Sequence, residues 1–269
     1  MVGPVRNLLV GSFALIALAA CSAKDTAYVE RPVETIYNAA MDQLDQQNYP
    51  GAAALFDEVE RQHPYSGWAT KAQLMAAYSQ YQNNRYDPAI ASLDHFIELH
   101  PSNRDIAYAY YLKGLCYYEQ ITDVGRDQQI TEKALKALDE VVRRFPESKY
   151  ARDARLKVDL TRNHLAGKEM DIGRYYLTRG QYLAAINRFR RVVEEYQTTE
   201  QVPEALHRLT EAYLRLGVRT EAQSAAAVLG YNYPGSDWYH ESYVLLAGEG
   251  LTPVPSDRSW LGRMWSRVF

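Results

Sequence analysis

One register recurs five times along this chain, and it leaves few folds open. Five anchor positions are Pro64, Pro101, Pro146, Gln197 and Pro234. Before each stands a ring: His63, His100, Phe145, Tyr196 and Tyr233. Two residues after each stands Ser66, Asn103, Ser148, Thr199 or Ser236. Twelve residues before each stands an alanine without exception: Ala52, Ala89, Ala134, Ala185 and Ala222. Eight before come Phe56, Leu93, Leu138, Phe189 and Ala226, and five before come Val59, Phe96, Val141, Val192 and Leu229. Offsets of −12, −8 and −5 trace one face of an α-helix. Proline ends that helix by disfavouring helical geometry in the residue before it. The polar residue that follows can cap the next helix.

Eight residues past four of the anchors, Ala72, Ala109, Ala154 and Ala205 fall on that next helix. Small residues on two facing helices let the backbones approach, so the unit is a helical hairpin stacked on its neighbours. The pattern resembles tetratricopeptide repeats. The chain therefore reads as an all-α solenoid of about five helical hairpins over residues 33–235. The helix pairs are expected near 33–47 with 50–63, 67–83 with 86–100, 103–120 with 131–145, 149–178 with 181–196, and 201–216 with 219–232. A non-repetitive helical protein would not place five alanines at one offset. The intervals between anchors are 37, 45, 51 and 37 residues. The second reflects an insertion, residues 121–130, expected to project from one edge of the stack. The third reflects a long helix over 149–178, with Gly167 and Gly173 as weak points and a break near Gly167 as the alternative. Arg179-Gly180 ends it.

The first twenty residues read differently. One positive charge, Arg6, precedes an apolar run from Leu8 to Ala20, and Leu18-Ala19-Ala20 leads into Cys21. This is the pattern of a secretory signal peptide. The cysteine makes the stretch resemble the lipobox of bacterial lipoproteins. That resemblance implies cleavage before Cys21, a diacylglycerol and an N-acyl chain on it, and a lipidated tether over 21–32. The alternative is a cleaved secretory signal with an incidental cysteine. Ser22, where such proteins carry Asp for inner-membrane retention, favours the outer membrane. The removed segment holds one arginine and no acid, so the mature chain of 249 residues has a net charge of −4. That balance argues against nucleic acid as the main partner. With Cys21 acylated, Cys116 has no disulfide partner, and its apolar surroundings mark it as a buried small hydrophobe.

No hydrolase, zincin, Walker or dinucleotide motif occurs. The six histidines lack ligand spacing, so neither metal nor dissociable cofactor is expected. Tyrosine is abundant, at 22 residues. Tyr78, Tyr81, Tyr108 and Tyr111 fall on first helices of repeats, where core packing and an aromatic groove for an extended peptide are both open. Tyr175, Tyr176 and Arg179 end the long helix. Arg188, Arg190 and Arg191 follow on the next helix, pointing away from the Phe189 face toward solvent or a partner. Residues 236–269 form an extension. Within it, Thr252-Pro253-Val254-Pro255-Ser256 is a linker, and Trp260, Leu261, Met264, Trp265 and Val268 make a short amphipathic helix beside Arg258, Arg263 and Arg267. A membrane surface, a protein groove and packing as a cap all suit that helix.

Several stretches carry a resemblance to one family: Tyr37-Asn38-Ala39-Ala40, Arg61-Gln62-His63-Pro64-Tyr65-Ser66, Ile97 to Asn103, Tyr108 to Leu115, Arg126-Asp127-Gln128, Arg144 to Ala151, and Tyr175-Tyr176 with Arg179-Gly180. These are similar to the BamD (ComL) family, lipoproteins of the outer-membrane β-barrel assembly machinery. The likeness runs from about residue 18 to 235. Gln197 replaces a usual proline, and the tail after 250 departs from the pattern. The resemblance implies a non-enzymatic scaffold on the periplasmic face of the outer membrane. Its implied partners are the barrel insertase (BamA-like), other assembly lipoproteins and unfolded outer-membrane proteins. Arg188 matches the family arginine that contacts the insertase, with Tyr175, Tyr176 and Arg179 nearby in the motif. Other readings are a pilus-secretin pilot and a regulator of peptidoglycan enzymes.

Overall fold

The computed structural model describes residues 30–265. The expected signal peptide, Cys21 and most of the tether lie outside the described residues, as do Ser266 to Phe269. Among the described residues every regular element is helical. Five antiparallel pairs follow one another: α1 (Val33–Asp45) with α2 (Tyr49–Gln62), α3 (Gly67–Gln82) with α4 (Tyr86–Leu99), and α5 (Ile106–Tyr118) with α6 (Gln129–Arg144). Next come α7 (Ala151–Thr178) with α8 (Tyr182–Glu195), and α9 (Val202–Arg215) with α10 (Arg219–Asn232). Then α11 (Asp237–Gly248) starts a sixth unit, and α12 (Trp260–Trp265) closes the described chain.

The recurring register is the core. All five alanines at −12 have no accessible surface, nor do Ala72, Ala109, Ala154 and Ala205 on the following helices. Phe56, Leu93, Leu138 and Phe189 fill the space between them. Full burial of a side chain of this size contributes about 1.5–3 kcal/mol. Each second helix ends alike: the backbone N–H of His63, His100, Phe145, Tyr196 and Tyr233 still bonds four residues back, while φ opens to between −126° and −134°. The first helices also touch in sequence, α1 with α3, α3 with α5 and α5 with α7. They therefore form the inner layer of the solenoid, and the second helices form the outer one.

Capping is less uniform than the sequence suggests. Ser66 accepts from Ala69 N–H and Ser236 from Trp238 N–H. Thr199 instead donates back to the Tyr196 carbonyl. The Ser148 hydroxyl is buried and caps nothing among the described residues.

The long helix is continuous through Gly167, so the alternative of a break there is not realised. Gly173 is there because of close approach: a Cβ at that position would come within 2.4 Å of the Phe189 ring on α8. The helix closes on Gly180, whose φ is +71°. There Gln181 N–H reaches the Tyr176 carbonyl and Gly180 N–H the Leu177 carbonyl. This is a Schellman closure, favoured by glycine at the left-handed position.

Two expectations need correction. The insertion does not project from an edge. It folds back on α7, with Val124 facing Gly167 and Lys168 Nζ donating to the Gly125 carbonyl at 2.8 Å. Gln128 closes the loop by donating to the carbonyls of Val124 and Arg126. The extension is also more structured than a linker and one short helix. Ser242 and Leu246 of α11 are fully buried against the last pair. The chain then returns over α10, with Gln223 Nε2 bonding the Thr252 carbonyl. Leu261 of α12 is fully buried in the same core. Of the three placements open for the amphipathic helix, its described part takes the packed one.

Candidate binding surfaces

The inner layer gathers the tyrosines of α3 and α5. Tyr108 and Tyr111 both pack on Tyr150, at ring separations of 5.3 and 5.2 Å, the second pair stacked. Tyr111 donates its hydroxyl to Asp153 Oδ2 at 2.5 Å. Tyr78 accepts from Gln82 Nε2, and Tyr81 lies 6.0 Å from Tyr86. All four expected groove residues are half-buried. Burial, and then the Glu119 carboxylate, pushes the Tyr81 phenol up to about 12. Burial raises Tyr108 as well, helped by the neighbouring phenols of Tyr78, Tyr150 and Tyr81. Tyr111 is raised by burial and by Asp153. These hydroxyls therefore stay protonated and serve as hydrogen-bond donors and acceptors. Sequence reasoning missed Tyr150 and Asp153. Their signal lay in the helical start immediately after the third anchor.

Cys116, on α5 behind this cluster, has no accessible surface, and burial pushes its thiol up to about 12. Such a thiol is unreactive.

The second surface lies where α7 meets α8. The arginines do not simply face outward as the sequence suggested. Glu169 of α7 is only 7 % exposed. Arg188 Nη1 holds its Oε2 at 3.0 Å and Arg191 Nη1 its Oε1 at 2.8 Å. A buried carboxylate needs such partners, and it draws both side chains back across the helix pair. Arg190 stacks 4.2 Å from the Trp260 ring centre and pairs with Glu194. At the C-terminal end of α7, Arg179 lies 4.3 Å over the Tyr175 ring, and both are exposed. Tyr176 meets Tyr175 edge-on at 5.6 Å and packs into the core below. Among the described residues, no hydrogen bond or ring contact joins Arg188 to Tyr175, Tyr176 or Arg179. They share one helix pair, not one cluster.

Sequence reasoning also missed a charge ladder between repeats. Arg174 of α7 binds Glu204 of α9 through two N–H groups, at 2.8 and 2.6 Å. Arg208 continues to Glu211 and lies over Trp238 of α11. Beside it, His207 is 3 % exposed, with Nδ1 2.9 Å from the Ser242 hydroxyl. Burial and the Arg208 charge lower its pKa. The described residues contain no group of three or more potential metal ligands. None of their helices is long and apolar enough to cross a membrane.

A stack of helical hairpins with an aromatic inner face and a charge-clamped end defines a helical-repeat protein. Comparison with known proteins says which. The family model described as "Outer membrane lipoprotein" (YfiO) matches residues 29–229. The outer membrane protein assembly factor BamD of Caulobacter vibrioides is 52% identical, covering 88% of this chain and 79% of that protein. The BamD of Rickettsia prowazekii is 47% identical over 86% of this chain and 92% of its own length. That of Neisseria meningitidis serogroup A is 35% identical over 93% and 96%. This chain belongs to the BamD family of outer membrane protein assembly factors. Among solved structures, the tetratricopeptide domain of P58(IPK) aligns with 79% of this chain and 55% of that one, at 16% identity and a TM-score of 0.42.

Proposed function

We propose that this protein is the lipid-anchored scaffold of an outer-membrane protein assembly complex, held on the periplasmic face by acyl chains on Cys21. In this reading α7 and α8 bind the periplasmic part of a barrel insertase through Arg188, with Tyr175, Tyr176 and Arg179 extending the contact. Other assembly lipoproteins would complete the complex. The tyrosine face of α3 and α5 receives unfolded barrel substrates. Its phenols offer apolar area and hydrogen bonds together, which suits an extended chain. The observation that carries the reading is family membership over most of the chain. The geometry adds a preformed surface: Glu169 fixes Arg188 before any partner arrives, which lowers the ordering cost of binding.

The test is copurification of a tagged, lipid-bearing protein from detergent-solubilised envelopes. Arg188→Glu places a second carboxylate against Glu169, so a matched control is required. Arg191→Glu creates the same repulsion at the other oxygen of Glu169. Loss of the insertase with Arg188→Glu, and its retention with Arg191→Glu, supports the assignment. Equal loss in both attributes the effect to a broken clamp and removes Arg188 from the contact. Recovery of a secretin in place of the insertase would identify a pilot instead.

A further inference from the structure

The first half of α7 carries a stripe that neither the fold nor the proposed interfaces use. Ala154, Val158, Thr161 and Leu165 bury one side of this helix. On the opposite side Leu156 and Leu160, one turn apart, are 58% and 50% exposed. Arg152, one turn before Leu156, and Arg155, beside Leu156 in sequence, are exposed as well. Arg155 is set at the corner between α6 and α7 by a hydrogen bond to the Pro146 carbonyl at 3.2 Å. The acid within the stripe, Asp159, faces Arg162 at 3.9 Å. Neither Arg152 nor Arg155 forms an ion pair among the described residues.

The chain segment that carries the stripe is net basic. Residues 131–191 hold fifteen basic and eight acidic side chains, whereas residues 30–130 hold seven basic and fourteen acidic ones. At its far end Leu160 lines a cavity of about 380 Å³ with Tyr118, Glu119, Ile121, Thr122, Thr161 and His164, so only apolar side chains of a partner suit its floor beside the Glu119 carboxylate. The His164 Nε2 is buried and makes no hydrogen bond among the described residues.

We propose that this stripe docks an acidic, leucine-bearing helical segment of another protein. Apolar side chains of the segment lie on Leu156 and Leu160 and enter the cavity, and its carboxylates meet Arg152 and Arg155. Two leucines at i and i+4 form a ridge of the kind that packs against a partner helix. Guanidinium groups without carboxylates supply the complementary charge. The stripe sits on an inner-layer helix, which a peptide reaches and a flat bilayer does not. The surface is separate from the Arg188 contact and does not depend on it.

The test uses the full-length protein in detergent and fluorescence anisotropy. The probe is a labelled amphipathic helix of leucine and glutamate; a leucine–lysine version, a scrambled version and anionic phosphatidylglycerol vesicles serve as comparisons. Binding of the leucine–glutamate helix alone, weakening as salt rises, is expected. Arg152→Glu with Arg155→Glu should cut affinity about tenfold or more, and Leu156→Ser with Leu160→Ser should do the same. All four side chains are exposed, so circular dichroism should stay unchanged. Equal binding by either double variant, equal binding of the lysine helix, or binding to vesicles but not to peptide would overturn the proposal.

Discussion

The two ends of the solenoid are built from the same hairpin but held differently. From α3 to α5 the inner face is a set of stacked phenols, and one hydroxyl–carboxylate bond, Tyr111 to Asp153, ties two repeats together. From α7 to α12 charge holds the helices, with Glu169 clamping α7 to α8 within one repeat and Glu204 tying Arg174 to the next repeat, and the returning tail lies over them. Aromatic packing tolerates sliding and exchange of partners. A buried carboxylate held by two arginines fixes a single arrangement.

The largest effect should come from breaking the rigid end at its closest approach. Gly173→Val forces a branched side chain into the Phe189 ring. It should cost about 3 kcal/mol, at the upper end for overpacking. Because each repeat contacts only its neighbours, the loss should be local. Hydrogen exchange should accelerate in α7 to α10 and stay unchanged in α1 to α4. Uniform acceleration would show that the two ends are not separable.

The tail is the next lever. Trp260 donates Nε1–H to the Tyr213 hydroxyl at 2.8 Å, its backbone N–H meets Glu221, and Arg190 covers its ring. Its side chain thus joins the tail to α8 and α9, and its backbone to α10. Trp260→Ala should cost about 2 kcal/mol of tail docking. It should expose the segment after Gly250 to limited proteolysis while leaving the first four helices intact. A tail that stays protected would place the docking energy in Leu261 instead.

These contacts also show why some of the molecule is legible in the sequence and some is not. The −12, −8 and −5 register is local, periodic and repeated five times, so every member reads as core from sequence alone, and every member is buried. The extension carries no such repetition. Helix α11 has its cap, Ser236, in register, but it runs into a glycine and a Pro-rich stretch and has no second helix to pair with. Trp260 finds Tyr213 47 residues away, a distance no spacing rule reaches. The arginines of α8 were legible as a group. Their partner Glu169 was not, because a single acid on a long polar helix looks like solvated surface until its burial is seen. The insertion was expected to project, but Val124 packs back against Gly167 of α7.

A smaller change sharpens the comparison at the aromatic end. Tyr111→Phe keeps the ring stack on Tyr150 and removes only the bond to Asp153, whose other oxygen contacts stay with Lys157. It should cost about 1 kcal/mol in urea unfolding. If the phenols receive substrate, this variant should weaken binding of an unfolded barrel segment more than it lowers stability. A stability loss with unchanged binding would return Tyr111 to a packing role.

The smallest effect concerns pH. His207 is held neutral by burial between α9 and α11, with Arg208 adding to the shift and Glu241, Glu211 and Glu204 opposing it. Its folded pKa lies below the unfolded value of 6.5, so the unfolded chain binds the proton more readily. The docking of α11 is therefore fully supported above pH 6.5 and weakens as pH falls below it. Between pH 7 and 6 the loss is at most about 0.7 kcal/mol. His207→Gln, which keeps a hydrogen-bonding group near Ser242, should flatten this dependence in α11 without touching α1 to α6. Hydrogen exchange at the two pH values, corrected for intrinsic rates, measures it. An unchanged slope in the variant would assign the pH response to the Glu204–Arg208–Glu211 ladder, and would make charge rather than burial the pH-sensitive element of the rigid end.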